Sequence, residues 1–284
     1  MQHLPHQPSP IAEVLLAEAR SCLSGAAAEI RQPAAKRNVH AARRYLKRLR
    51  SLLRLMGPAL GKEPAAELDK VVKKAAEELA GARRAQALQQ LIAKLDADPE
   101  AKSALGAALA AHTETRATAD IGPEAAARAL ELLDDVRRQI RQWQVPQAGL
   151  DFYLKGLKQS YRKARHRLAG ALNSEDAERL HEARKQVIHT LHHLELLHRH
   201  WPGIEGLPVE EMNALRELLG DFNDLAELRH IVKRETPSRA LRKKLDRHGR
   251  RRLRKARKLS DRLFEEKPAA FARRIGVMWE QAQR

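Results

Sequence analysis

Disulfides cannot organise this chain. Its 284 residues include one cysteine, Cys22, which also excludes a multi-cysteine metal site. Aromatic side chains are scarce: three Trp, three Tyr and four Phe. That is too few for the stacking platforms that hold single-stranded nucleic acid. Runs of β-branched residues are missing, and with them the usual strand signal. No stretch of about 18 apolar residues occurs, so no membrane insertion is expected. Residues 1–10 carry prolines and histidines without the apolar centre of a secretory leader. What remains is dominated by Ala, Leu, Glu, Lys, Arg and Gln, the strong helix formers. The reading is an all-α protein, soluble and intracellular, large enough to bury a full core.

Acidic residues are missing too, but only locally. From Lys36 to Arg54 there are eight basic residues and no acid; from Lys155 to Arg167 there are six and none. From Lys233 to Arg262, fifteen basic residues meet three acidic ones. These stretches carry a net +8, +6 and +12 against a total of +18, which leaves −8 for the rest of the chain. The cations are therefore gathered into stripes. At 100° per residue, His40, Arg43, Arg44, Lys47 and Arg54 fall on one helix face, opposite Ala42, Tyr45, Leu46, Leu49, Leu53 and Met56. Lys158, Arg162 and Arg165 share a second face. Lys243, Arg247, Arg250, Arg251 and Arg254 share a third, opposite Leu245, Ala256, Leu259 and Leu263. Like charges at i,i+4 destabilise an isolated helix. Unmixed stripes therefore point to a polyanion that relieves them: nucleic acid, another polyphosphate or an anionic membrane. If the stripes converge, they form a cationic groove or pore.

Proline and glycine divide the chain into helical segments. The spacing predicts helices over Pro10–Arg31, Lys36–Met56 (ending at Gly57-Pro58), Pro64 to Ala80-Gly81, Arg83–Leu95, Glu100–Arg116 and Pro123–Trp143. Val145–Gly149 reads as the boundary between halves. Further helices are expected over Phe152–Leu172, from an Asn173-Ser174 cap to Trp201, over Pro208–Leu219, Phe222–Lys233 and Ser238–Phe264, and from Pro268 onward. His-x-x-Arg occurs at His40/Arg43 and again at His181/Arg184, each early in a helix that comes after another. Leu79-Ala-Gly81 is echoed by Leu218-Leu-Gly220, which suggests a duplicated helical unit.

The segment His40-Ala-Ala-Arg43-Arg44-Tyr-Leu-Lys47-Arg48-Leu49-Arg50 resembles the signature of the CHAD domain, the conserved-histidine α-helical domain. Leu180-His181-Glu-Ala-Arg184 with Leu194-Glu195-Leu-Leu resembles its second copy, and Leu218-Leu219-Gly220-Asp221-Phe222-Asn223-Asp224 resembles its "LGDxND" segment. The resemblance covers about residues 9–280. It implies two pseudo-symmetric antiparallel bundles of about four main helices each, residues 1–148 and 149–284. These would flank a basic central channel that binds inorganic polyphosphate without catalysis. It also implies a cytoplasmic protein resident on polyphosphate granules. The expected polyphosphate-binding residues are those in and beside the motif copies, His40, Arg43, Arg44, Lys47, Arg50, His181, Arg184 and Lys185, together with the stripe cations Arg54, Lys158, Arg162, Arg165, Lys243, Arg247, Arg250, Arg251 and Arg254. The chain departs from the family at Arg84-Ala85-Gln86-Ala87, where Arg-Asp-x-Asp is usual. It departs again at Ile188-His189-Thr190-Leu191, where a basic cluster is usual.

The residues themselves agree with a binder. Arg grips phosphate oxygens bidentately and Lys acts as a point charge; sulfate or phosphate could occupy the same site. His189, His192 and His193 are read as a pH-dependent extension of the basic surface. Glu178-x-x-His181 and Glu227-x-x-His230 imitate di-iron spacing, but cations flank His181 and no further inward carboxylates are evident, so no metal or cofactor is expected. There is no Gly-rich phosphate loop, no HExxH, no nucleophile setting, and no alternating Glu-x-Glu-x-Lys strand of a triphosphate tunnel enzyme, so no enzymatic activity is expected. The alternative is a nucleic-acid-binding helical protein that uses the same stripes. It is disfavoured by the absence of a helix bearing Asn, Gln and Arg base readers.

Overall fold

Good helix formers and proline punctuation give helices throughout the computed structural model, which describes residues 10–33, 36–79, 84–114, 121–143, 149–201, 203–236 and 238–282. Among these residues there are eleven helices and no strand: α1 (Pro10–Arg31), α2 (Val39–Leu60), α3 (Lys62–Glu78), α4 (Arg84–Lys94), α5 (Pro99–Glu114), α6 (Pro123–Arg141), α7 (Leu150–Ser174), α8 (Ala177–His200), α9 (Val209–Glu235), α10 (Arg239–Leu263) and α11 (Pro268–Ala282). The expected boundary at 145–148, the Ala80-Gly81 part of the internal echo, and the side chains of 84–87 lie outside the described residues.

The helices depart from the sequence reading at α2, at the α7–α8 junction and at α9, each for a local reason. α2 starts three residues late, because the Asn38 side chain caps it by accepting from the Ala41 N–H. It also runs through Pro58 to Leu60; a proline in the last turn costs one backbone bond, and the buried Leu55 and Met56 hold that turn on the core. The stop falls at Gly61, whose φ of +91° favours glycine. α7 swallows Asn173 and Ser174, and Asp176 caps α8 by accepting from the Arg179 N–H. The third difference is α9, one helix where the sequence suggests a break at Gly220. Arg184 of α8 packs against that glycine, and a larger residue there would crowd it.

α1, α2, α3 and α6 pack as a ring, each on the next and α6 back on α1. In the second part of the chain α8 packs on α7, α9 on α8 and α10 on α9, with α11 on α7. α2 joins the two sets by packing on both α7 and α8. The α2–α7 crossing is close: a Cβ on Gly156 would lie 2.2 Å from the Leu55 carbonyl oxygen. A single apolar cluster runs through both sets, from Leu15 and Leu46 to Leu157, Leu191, Leu215 and Ile275. Burying such a side chain contributes roughly 2 kcal/mol. A second cluster joins α4 and α5 to the C-terminal half of α9 and to Leu245 of α10. The α4–α5 pair, early in sequence, is thus seated on late helices. Tyr161 fastens the other end of the molecule. It stacks on Phe271 at 4.0 Å and donates to the Leu263 and Glu266 carbonyls, pinning the α10–α11 turn to α7.

Candidate functional site

The cationic stripe of α2 faces the rest of the protein, and part of it is already engaged. Arg43 Nη1 donates to the Ala76 carbonyl in the last turn of α3, 2.6 Å away. Arg50 forms a fork on Asp69 of α3 at 2.7 and 3.2 Å, and Arg54 Nη2 reaches the same carboxylate at 2.7 Å. The acid missing from α2 arrives from the neighbouring helix, so Arg50 and Arg54 are half neutralised. The side chains of His40, Arg44 and Lys47 make no hydrogen bond or ion pair among the described residues; Arg44 and Lys47 are exposed and His40 half-buried.

Opposite this stripe lies the second motif. Arg184 of α8 donates from Nε to the Arg216 carbonyl of α9 at 3.2 Å. Its guanidinium lies against Gly220, where a Cβ would come within 3.0 Å of Nη2. This is why α9 carries a glycine at mid-helix, where one costs about 1 kcal/mol against alanine. His181 Nδ1 and Asn223 Nδ2 are 3.4 Å apart, and the Asn223 side-chain oxygen is buried without a partner. Arg216, Gly220 and Asn223 stand at i, i+4 and i+7, so they share one face of α9.

Lys47 records how closely these elements converge. Its pKa is lowered to about 8, first by burial of the ammonium and then by Arg184, Arg43 and Arg216. By area the Lys47 side chain is still exposed, so solvent screens part of this repulsion. The direction is secure, because every cause acts the same way. Burial likewise lowers Arg43 and Arg184; Arg216 lowers Arg184 further, and Asp224 and Asp221 partly offset it. Asp221 is itself held by Arg252 of α10 at 3.0 Å. Three helices, α2, α8 and α9, therefore crowd four cations into one place.

Beside this crowd the histidines turn inward, which corrects the expectation that they extend the basic surface. His189 and His193 are buried and His192 half-buried. Ser51 Oγ donates to the Lys47 carbonyl at 3.0 Å and lies 2.8 Å from His189 Nδ1 and 2.9 Å from His192 Nδ1. With its one proton given to Lys47, the hydroxyl accepts from both rings, so both carry their proton on Nδ1. His193 donates from Nε2 to the Ser51 carbonyl at 2.8 Å. Burial pushes all three imidazoles down, His192 to about 3 and His193 to about 4; nearby cations push His189 and His192 further, and the Ser51 carbonyl partly restores His193. They are neutral across pH 6–7.5 and form a polar seam between α2 and α8.

A second cationic crowd stands at the far end of α2. Burial lowers the Lys163 pKa, followed by Arg54, Arg162, Arg167 and Lys62. Arg162, Lys163 and Arg165 also line a groove of about 880 Å³ between α7 and α10, along with Arg257, Asp261, Phe264 and other residues. Arg165 is committed there, donating from Nε to the Phe264 carbonyl at 2.8 Å. Lys158 is exposed, and Lys185 is exposed and paired with Glu182 at 2.5 Å. Lys243, Arg247, Arg251 and Arg254 stand exposed on the outer face of α10, away from the side that packs on α9; Arg250, also exposed, lines a groove of about 270 Å³ with Phe222, Leu225 and Arg229 of α9. Among the described residues no group of three His, Cys, Asp or Glu side chains is placed to hold a metal ion, and no helix is long and apolar enough to cross a membrane.

Sequence reasoning misses Arg216 and Lys62, and leaves Arg48, Lys163 and Arg167 out of the binding set although all three lie in its basic stripes. Arg216 has a signal: it precedes Gly220 by one helical turn, but a helix break expected at that glycine hides the shared face. Arg48 lies within the motif, and its charge acts on His192. Lys62 sits beyond the expected end of α2, so only the tertiary fold brings it to Lys163.

A family model of the CHAD domain matches residues 14–233. No curated protein matches the chain. The match spans well over half of the sequence, and the chain belongs to the CHAD domain family.

Proposed function

We propose, from membership in the CHAD domain family and from the geometry of the cationic crowd, that this protein binds inorganic polyphosphate without catalysing its turnover. The observation that carries the reading is the setting of Lys47. Arg184, Arg43 and Arg216 all disfavour its charge. A fold does not gain from such crowding; a flexible chain with roughly one negative charge per phosphate relieves it and releases counterions. In this reading residues 1–148 and 149–284 act as two related halves, with α2 and α8 facing each other across a basic channel. Lys47, Arg44, Arg48 and Arg216 contact phosphate, while Arg43 and Arg184 brace the walls and point their remaining N–H groups inward. His40 and His181 sit at the mouths. Arg54, Arg162, Lys163 and Arg167 would continue the path. Cytoplasmic residence on polyphosphate granules belongs to the same reading.

The test is a competition titration of long-chain polyphosphate against duplex DNA, at matched phosphate concentration and about 150 mM salt. Polyphosphate should bind the protein more tightly than the duplex does. Equal or tighter binding of DNA would transfer the stripes to the nucleic-acid reading.

A further inference from the structure

α10 carries a charged surface of its own: Lys243, Arg247, Arg250, Arg251 and Arg254, counted with the polyphosphate ligands in the sequence reading, stand exposed on α10 and are not among the cations crowding Lys47. Lys243, Arg247, Arg250, Arg251, Arg254 and Lys258 are all exposed, and none makes an ion pair or hydrogen bond among the described residues. The exposed faces of α3 and α6 are built differently. α6 pairs Arg137 with Asp134 and Arg138 with Asp135; α3 pairs Lys70 with Glu67 and Lys73 with Glu77. On α10 the pairing is confined to the flanks: Lys244 to Asp98, Arg252 to Asp221, and Asp246 to Arg229. Those flanking bonds, with the buried Leu245, Leu253 and Ala256, hold the helix in place whatever its outer face meets. α10 also lies beyond residue 233, where the family match ends.

We propose that the outer face of α10 is a docking surface for duplex DNA, separate from the cleft between α2, α8 and α9. The shape argues for a duplex. From Lys243 to Lys258 the stripe is about 22 Å long, at 1.5 Å per residue, and it is convex and unwalled. A flexible polyphosphate chain must lose its freedom to lie along an open ridge, whereas a duplex is already ordered and loses little. B-DNA also offers a major groove about 12 Å wide, which admits an α-helix; the deep, narrow major groove of A-form RNA does not. The chemistry argues against a membrane. The apolar side of α10 is turned onto α9, so nothing apolar flanks the cations for insertion between lipids. With Arg and Lys but no Asn or Gln on this face, nothing reads adenine bidentately and phosphates take most of the contacts.

The experiment measures binding of a fluorescent 20-base-pair duplex across a salt series, and of short-chain polyphosphate in parallel. It uses the full chain, R247E/R251E/R254E, the milder R247Q/R251Q/R254Q, and K47E/R216E. Wild-type DNA affinity should fall with salt at a log–log slope of about −4 to −5, as expected for about five neutralised phosphates. The α10 reversal should cost at least about 100-fold in DNA affinity at about 100 mM salt and flatten the slope by about 3. The glutamine variant should show a smaller loss of the same kind. Both should keep short-chain polyphosphate binding within about threefold and leave the melting temperature unchanged, since these side chains are exposed and unpaired. The proposal is overturned if the α10 variants bind duplex normally. It is overturned if they lose DNA and polyphosphate in equal measure, if K47E/R216E alone removes DNA, or if wild-type protein holds phosphatidylserine vesicles while leaving the duplex free.

Discussion

Arg43 on α2 donates to a backbone carbonyl 33 residues further on, at Ala76; Arg184 on α8 donates to one 32 residues further on, at Arg216. The two His-x-x-Arg segments thus brace the next helix alike. Beyond the motif the two copies diverge. Seven residues after His40 stands Lys47, and seven after His181 stands Ile188; eleven residues on, the pair is Ser51 and His192. In the first copy the extra residues are cations held apart from any acid or bound to Asp69. In the second they are neutral histidines closed over Ser51. One helix supplies the charge, and the other supplies the surface that α2 packs on. The two segments share the brace and differ in electrostatics.

The largest way to break that contrast is acid. If the histidines of α8 are buried as neutral rings, the folded state binds fewer protons than the unfolded state wherever free imidazole titrates. Their folded pKa values lie well below the ordinary 6.5, His192 at about 3 and His193 at about 4. Stability is therefore unaffected above about pH 7 and falls as pH drops from about 6.5 toward 4. At pH 5 this amounts to about 2 kcal/mol per histidine, or a fall in Tm on the order of 10 °C. Calorimetry between pH 7.5 and 5 at constant ionic strength checks it. A Tm that stays flat would mean the rings are solvated and charged, and the two motif copies would then be electrically alike.

Next in size is the charge reversal K47E/R216E, aimed at the cations that α2 and α9 bring together. Each lost charged contact is worth about 1.5 kcal/mol or more, so polyphosphate affinity should fall at least about 100-fold, with helicity retained. Reversing Lys73 and Arg128, which are paired with Glu77 and with Glu78 and Glu124, should cost less than about threefold. Equal losses would mean diffuse attraction instead of a built cleft.

Much of this architecture is legible in the sequence, because it is local. The helical periodicity, the apolar side of α2 and the lone cations at Arg44 and Lys47 come from spacing alone. So do the proline-opened helices α5, α6 and α11. The hidden part depends on partners brought from afar. Nothing in the α2 sequence says that Asp69 will take both Arg50 and Arg54. Nothing in Leu191-His192-His193 separates an outward basic patch from an inward polar seam, since a histidine is compatible with either; Ser51, 138 residues before His189, decides it. Gly220 reads as a break because a glycine in a helix usually costs stability. Its reason is a guanidinium from another helix.

A third test moves the pH dependence of binding from histidine to lysine. With the rings neutral, affinity should be flat from pH 6 to 7.5. Lys47, lowered to about 8, begins to lose its proton just above that window, and a bound polyanion favours the protonated form. Affinity should fall by up to about tenfold between pH 7.5 and 9, since binding must restore the proton. Lys47→Arg should remove most of that fall, because guanidinium stays charged. Stability moves the opposite way: a depressed lysine makes the unfolded state bind more protons between about 8 and 10.5, so this group favours folding as pH rises through that range.

The smallest effect, and the finest probe of the brace, is Gly220→Ala. The new Cβ would lie 3.0 Å from Arg184 Nη2, 3.2 Å from Nε and 3.3 Å from Cζ. Those atoms are the end of a flexible side chain, so the guanidinium can retreat by a few tenths of an ångström. The helix gains about 0.8–1 kcal/mol from alanine. Against this stands the 3.2 Å bond from Arg184 to the Arg216 carbonyl, worth about 1–1.5 kcal/mol if it is lost. The two nearly cancel, so Tm should shift by less than about 4 °C. Polyphosphate affinity should change no more than a few-fold, because Arg184 moves without leaving the Lys47 crowd. A fall in Tm beyond about 10 °C would show that Arg184 cannot give way. The arginine of the second motif would then be locked against α9 at Gly220 and the Arg216 carbonyl, as firmly structural as the core beneath it.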